Sequence, residues 1–191
     1  LFEFRGAVRA LYVVPGSPAW EMGVSPGDII EALNGQPVGS IADAYRQINR
    51  ISNGELVNLS WRTGGNSLLD AAFTEKRMEG MCLLGERPEH PLEKTVKSGL
   101  DLHLLPALFG FSAEDISATP LSVDLKILEV VPGSVADETG LSVGDTLQVL
   151  DWVYDQNQHA AFLVFNISRK TRGYLMQTLQ VGSSIDTEDF L

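Results

Sequence analysis

Nucleophilic, acid–base and metal chemistry needs Ser, Cys, His and carboxylate side chains held together, and the spacing of such residues in this chain matches no known catalytic or metal-binding pattern. One cysteine, Cys82, stands among Met81, Leu83 and Leu84, a setting that reads as a buried structural thiol. The histidines His90, His103 and His159 are far apart and none is paired at i,i+4, so no zinc constellation is expected. Gly64-Gly65-Asn66-Ser67 contains a serine, but these are hairpin-turn residues. Glu114-Asp115 and Asp137-Glu138 read as solvated charges at helix starts rather than an acid/base pair. No H-E-x-x-H, Walker or Rossmann string occurs. The expectation is a chain without catalysis, metal or cofactor of its own.

What the sequence does repeat is a scaffold. Val-Val-Pro-Gly-Ser-Pro-Ala-Trp-Glu-Met-Gly-Val-Ser-Pro-Gly-Asp-Ile-Ile starts at Val13, and Val-Val-Pro-Gly-Ser-Val-Ala-Asp-Glu-Thr-Gly-Leu-Ser-Val-Gly-Asp-Thr-Leu starts at Val130, an ungapped offset of 117 residues. The unit predicts a strand (Leu11 to Val14, Ile127 to Val131) broken by Pro-Gly, then a very short helix. Ser17 is placed to cap that helix, Pro18 to open it and Gly23 to close it; Ser134 and Gly140 match. Gly27-Asp28 and Gly144-Asp145 then turn into another strand, and Asn34-Gly35 signals a tight hairpin.

The 191 residues, 44% hydrophobic and 20% charged, describe a globular chain of one or two domains. No apolar run approaches the length of a membrane-spanning helix, so a membrane enters only through a parent chain. The start, Leu1-Phe2-Glu3-Phe4, has no initiator Met and no signal-peptide pattern, which reads as an excised fragment. Residues 1–78 carry seven Lys/Arg against eight Asp/Glu, and 79–191 carry seven against seventeen, so nearly all of the net charge of −11 lies in the second part. Such a surface is a poor partner for nucleic acid and favours solubility.

Gly16 to Val38, as it stands, resembles the PDZ domains of bacterial HtrA/Deg-type serine proteases, and its recurrence makes the resemblance specific. It implies a mainly β fold with short helices, two PDZ-like partly open β-barrels in tandem. The expected organisation is residues 1–78 for the first domain, 79–96 for a linker, 97–183 for the second and 184–191 for a tail. In the first domain Ile41, Ala44, Tyr45 and Ile48 fall at helical spacing, and Leu56–Trp61 with Leu68–Phe73 read as a hairpin about Gly64-Gly65-Asn66.

For a peptide C-terminus the resemblance implies a carboxylate-binding loop followed directly by a strand to which the peptide adds. The matching positions are Lys97, Ser98, Gly99 and Leu100 for the loop and Asp101–Leu105 for the strand, with Leu102 and Leu104 facing the peptide and Pro106–Phe111 a short helix. The loop requires converging backbone N–H groups and a glycine. In the first domain Phe4 lies in the corresponding strand and Ile41, Ala44, Tyr45 and Ile48 form the groove's helical wall, but too few residues precede Phe4 for the loop. The second domain departs elsewhere. Asp28 to Arg62 spans 34 positions and Asp145 to Arg169 only 24, so the groove helix is missing, and 160–167 with 174–181 read as paired strands. The terminal Leu191, with Asp189 two residues before it, has the pattern of a PDZ ligand.

The Gly-Asn-Ser-Gly-Gly nucleophile surround of the HtrA-type proteases is absent. The function implied is therefore a non-catalytic regulatory region of a larger HtrA-like protease, binding protein C-termini or unfolded segments and controlling substrate delivery or activation. The resemblance places it in the bacterial periplasm or envelope. Two alternatives remain: a structural PDZ module for assembly with other protomers of a homo-oligomer or an envelope complex, and the PDZ pair of a membrane site-two-type metalloprotease.

Overall fold

The computed structural model describes residues 1–63, 67–69, 76–85, 91–170 and 174–185. The chain divides into two compact units, Leu1–Pro91 and Leu92–Thr187. Each is one antiparallel sheet with short helices on it, and neither sheet closes on itself.

The repeated segment makes the same backbone hydrogen bonds in both units, but the strand expected to lead into it forms only in the second, where Val130 pairs with Phe111, whereas residues 11–14 lie in no strand. Ser17 caps α1 (Pro18–Glu21) by accepting the Trp20 N–H, and Ser134 caps α5 (Val135–Glu138) by accepting the Asp137 N–H. Both helices end on a residue in the left-handed region, Gly23 at φ 86° and Gly140 at φ 73°, where a side chain would be strained. Val24 N–H then reaches the Ala19 carbonyl at 3.0 Å, and Leu141 N–H reaches Ala136 at 2.9 Å. At the Gly-Asp turn, Asp28 Oδ2 accepts the Ser25 N–H at 2.9 Å, matched by Asp145 and Ser142 at 2.9 Å.

In the first unit the strands are β1 (Phe2–Phe4), β2 (Ala7–Arg9), β3 (Ile29–Leu33), β4 (Gln36–Pro37), β5 (Leu56–Arg62) and β6 (Arg77–Leu83), ordered β1-β2-β3-β5-β6 with β4 against β3. Asn34 and Gly35 both have positive φ, the requirement of the tight β3–β4 turn. Strict alternation in β5 puts Val57, Leu59 and Trp61 inward, where they meet Val8, Ile30 and Ala44. Ala44 belongs to α2 (Ile41–Ile48), whose N-cap Ser40 accepts the Asp43 N–H.

The second unit opens with α3 (Pro91–Ser98), a 3-10 turn (Leu102–Leu104) and α4 (Leu105–Leu108). Five strands follow: β7 (Phe111–Asp115), β8 (Val123–Val130), β9 (Thr146–Asp155), β10 (Ala160–Lys170) and β11 (Tyr174–Ser184), in the order β11-β10-β9-β8-β7. Leu104, Leu105, Phe111, Ile127, Leu163 and Phe165 are fully buried between the sheet and the helical segment. The ten residues missing here are those that make β4 and α2 in the first unit. Without them β9 runs on through Asp151–Asp155 and turns directly into β10.

Further expectations need correction, among them the helix expected at Pro106–Phe111, which ends at Leu108 and leaves Phe111 in β7. The partner of β5 is β6, not Leu68–Phe73: Leu56 pairs with Leu83 and Arg62 with Arg77, Leu68 is buried off the sheet, and 70–73 lie outside the described residues, as does the turn residue set 64–66. The stretch 79–96 is not a plain linker, because it supplies most of β6 and of α3. Its alternation Met78, Gly80, Cys82 was hidden by the charges and glycine around it. Finally, Asp101–Leu105 is not a strand. The Asp101 side chain takes the His103 N–H and starts a turn, and Leu102, Leu105 and Phe109 then follow helical spacing.

Two stability measurements check this packing. At Gly110, φ is 78° and a Cβ would lie 2.1 Å from Ser134 Cβ, so Gly110→Ala is expected to destabilise the second unit by about 1–3 kcal/mol or more in urea titration. Trp61, 1% exposed at the centre of the first core, is expected on truncation to Ala to cost about 3–5 kcal/mol.

Candidate functional site

The four residues expected to cradle a carboxylate are committed elsewhere. Lys97 and Ser98 close α3: Lys97 Nζ pairs with Glu93 and lies 4.9 Å from the Tyr154 ring centroid, and Ser98 Oγ donates to the Thr95 carbonyl at 2.7 Å. The hydrogen bond to Glu93 holds the Lys97 ammonium above its ordinary pKa. Gly99, at φ 126°, donates its N–H to the Val96 carbonyl at 3.3 Å, and Leu100 follows half-buried. Leu102 and Leu104 sit on the 3-10 turn, Leu104 fully buried in the core. Backbone N–H groups here finish a helix rather than converge on an anion.

One strand edge of this unit lies about ten residues further on. β7 pairs with β8 on one side only, and it is entered through Leu108-Phe109-Gly110-Phe111. The Phe109 N–H donates to Leu105 and the Gly110 N–H to Leu105 and Pro106, all in the last turn of α4. The carbonyls are used too, since Ala136 N–H donates to Phe109 at 2.9 Å and Val131 N–H to Gly110 at 2.7 Å. An extended segment can therefore add to β7 through its backbone, but the turn before it has no N–H left at 109 or 110 for a terminal carboxylate. A sequence signal existed: Phe-Gly-Phe directly before the short run Ser-Ala-Glu-Asp. The neighbouring Leu-His-Leu-Leu, which also alternates, drew the reading away from it.

In the stretch where the first unit makes β4 and α2, the long β9 of the second supplies Trp152. Its indole N–H donates to the Val96 carbonyl at 2.9 Å and its ring meets Phe109 edge-on at 6.1 Å. Leu92 and Val96 of α3, each 1% exposed, bury their side chains in the same unit. The deletion is thus filled from the unit's own N-terminal side, and the aromatic cluster Trp152, Phe109 and Phe111 takes up the space.

The first unit has the complementary features. Ala44 and Ile48 of α2 line an apolar cavity of about 230 Å³, together with Leu1, Met22, Leu59 and Cys82. That volume suits one or two apolar side chains. Ile41 packs against the core and Tyr45 is half-buried on the same helix; neither lines the cavity. Phe4 ends the edge strand β1, its backbone paired with Ala7. The Cys82 thiol is pushed up in pKa by burial and by the Glu21 carboxylate, the opposite of an activated nucleophile.

His103 and His159 are exposed on turns, and among the described residues no three His, Cys, Asp or Glu side chains gather as a metal site. His90 and Leu191 lie outside the described residues.

With this geometry, comparisons with known proteins agree. Residues 92–185 match the TP0546 family PDZ domain and residues 9–63 match the PDZ domain family. The chain is similar to the "Periplasmic pH-dependent serine endoprotease DegQ" of Escherichia coli, 30% identical over 136 residues, which is 71% of this chain and 26% of that protein. It is also similar to the "Probable periplasmic serine protease do/HhoA-like" of Haemophilus influenzae, 29% identical over 135 residues, 71% of this chain and 25% of that protein. The chain spans about a quarter of the length of these relatives. Two sheets bearing the same capped helix and Gly-Asp turn, each matching a PDZ family, make this chain a tandem pair of PDZ domains.

Proposed function

We propose that the chain is the non-catalytic protein-binding region of a larger HtrA-like serine protease of the bacterial periplasm or envelope, where it holds protein segments and controls their delivery or the protease's activation. The observation that supports this most directly is the unpartnered edge of β7, a strand placed for backbone pairing with an extended chain. Each backbone bond formed there adds only about 0.5–1.5 kcal/mol net, because water served the same groups before. The cavity beside α2 in the first domain adds about 1.5–3 kcal/mol for one buried Leu or Val side chain. Binding is consequently modest, and in the second domain it is blind to chain ends, since the Phe109 and Gly110 N–H groups are spent.

Calorimetry with short apolar peptides and with an unfolded protein is expected to give dissociation constants of about 0.1 mM or weaker. Amidating the peptide C-terminus should change the affinity by less than about threefold; a loss of about a hundredfold would reinstate carboxylate recognition. Ala44→Leu places a larger side chain into the first domain's cavity and is expected to weaken apolar peptides about tenfold. Incubated with unfolded protein, the 191-residue chain is expected to release no fragments, and cleavage that persists through repurification would overturn the non-catalytic assignment.

A further inference from the structure

Among the described residues five strands are paired on one side only; the two-residue β4 contains Pro37, and three of the other four carry charge. β1 is three residues long with Glu3 at its centre, β6 bears Arg77 and Glu79, and β7 ends on Glu114 and Asp115. Short length and charge are the ordinary protections of an edge against pairing with another chain. β11 has neither. Its 11 residues, Tyr174–Ser184, include no Asp, Glu, Lys, Arg or Pro. Its pairing with β10 also runs from Lys170↔Tyr174 to Ala160↔Ser184 without a shift, whereas the β9–β10 and β7–β8 pairs are both bulged. Bulges twist an edge away from partners, so among the described residues β11 is the straight, neutral and long edge. It belongs to a unit that, over residues 92–187, holds twelve Asp/Glu against six Lys/Arg.

The geometry points to a second copy of this chain as the partner of β11, joined strand to strand in antiparallel fashion about a two-fold axis at Leu179, so that two five-stranded sheets become one of ten. Self-pairing accounts for the neutrality. A strand that faces itself sets every residue against another from the same eleven, and charge of one sign on it would add to the repulsion between two acidic units. A different, basic partner would instead be served by acidic residues on this edge. Complete overlap of Tyr174–Ser184 with itself centres on Leu179, which sets Thr178 opposite Gln180 and Met176 opposite Gly182 of the second copy. Met176 is 71% exposed, and a Cβ at Gly182 would lie 2.6 Å from the Phe162 ring. The ring thus covers its own bare Gly182 from one side, and Met176 of the second copy meets it across that glycine, a thioether–aromatic contact. This surface is independent of β7 and of the peptide reading.

The test is sedimentation equilibrium on the 191-residue chain. The mass is expected to rise from 20.8 kDa toward twice that value with concentration, and to rise further when salt goes from about 0.05 to 0.5 M, which screens two like-charged units. Thr178→Lys with Gln180→Lys, both at exposed positions, opposes like charges in each cross-strand pair and should weaken association about tenfold. Thr178→Lys with Gln180→Glu makes the same pairs complementary and should restore it, with thermal unfolding verifying that both variants fold. Hydrogen exchange should slow with concentration at β11 amides and stay constant at β6 and β7. A monomeric mass at all concentrations and salts, association indifferent to the double-lysine change, or protection appearing at β6 or β7 instead would each overturn the assignment.

Discussion

Each domain depends on the carboxylate of one aspartate at a Gly-Asp turn. Asp28 and Asp145 fold back to take the N–H of a serine three residues earlier, which fixes the turn between the short helix and the next strand. That turn is tied to the strand before it by two backbone bonds: Ala10 N–H to Asp28 and Gly27 N–H to Ala10 in one domain, Ile127 to Asp145 and Gly144 to Ile127 in the other. The glycine is required because φ is 92° at Gly27 and 88° at Gly144. Asp28 is only 2% exposed, and Asp145 also receives Arg169 at 3.0 Å. A buried carboxylate left without such partners would be costly, so everything that packs over these turns is constrained by them.

Around this shared corner the two domains diverge by subtraction. Deleting the residues equivalent to β4 and α2 leaves an open side in the second domain, and an open apolar side cannot stand in water. Two elements close it: the extension of β9 that carries Trp152, and the helical segment 91–108 that buries Leu92, Val96, Leu104 and Leu105. The closure has a functional consequence, because α4 ends on the very turn that leads into β7 and consumes its N–H groups. The first domain keeps α2 and with it an apolar cavity.

The strand edges divide along the same line. Where an edge lies beside a turn whose polar groups are already satisfied, as at β7, what is offered to a partner is backbone alone. Glu114 there is balanced by Lys126, and Asp115 keeps its charge while accepting the Ser117 N–H, so the edge still disfavours apolar contact. β11 carries no such groups, and its difference from the other edges is one of composition, length and regularity at once.

Much of this was legible in the residues themselves. Ser17, Pro18 and Gly23, or Ser134 and Gly140, dictate a short capped helix because the interactions involved reach no further than four residues. The periodicity of Ile41, Ala44 and Ile48 determined α2, and the ten-residue difference between the repeats determined that β9 meets β10 without a helix. Tertiary structure alone decided where the open edge lies. Leu102 to Leu105 alternates as a strand would and is spaced as a helix would, and burial of Leu104 and Leu105 under the sheet settled it for the helix. The fate of Lys97, Ser98 and Gly99 was likewise decided by α3, whose last turn takes the N–H of Gly99 that a carboxylate would have needed. A loop's hydrogen-bond donors are written in its sequence, but whether they remain unspent depends on what the chain packs against.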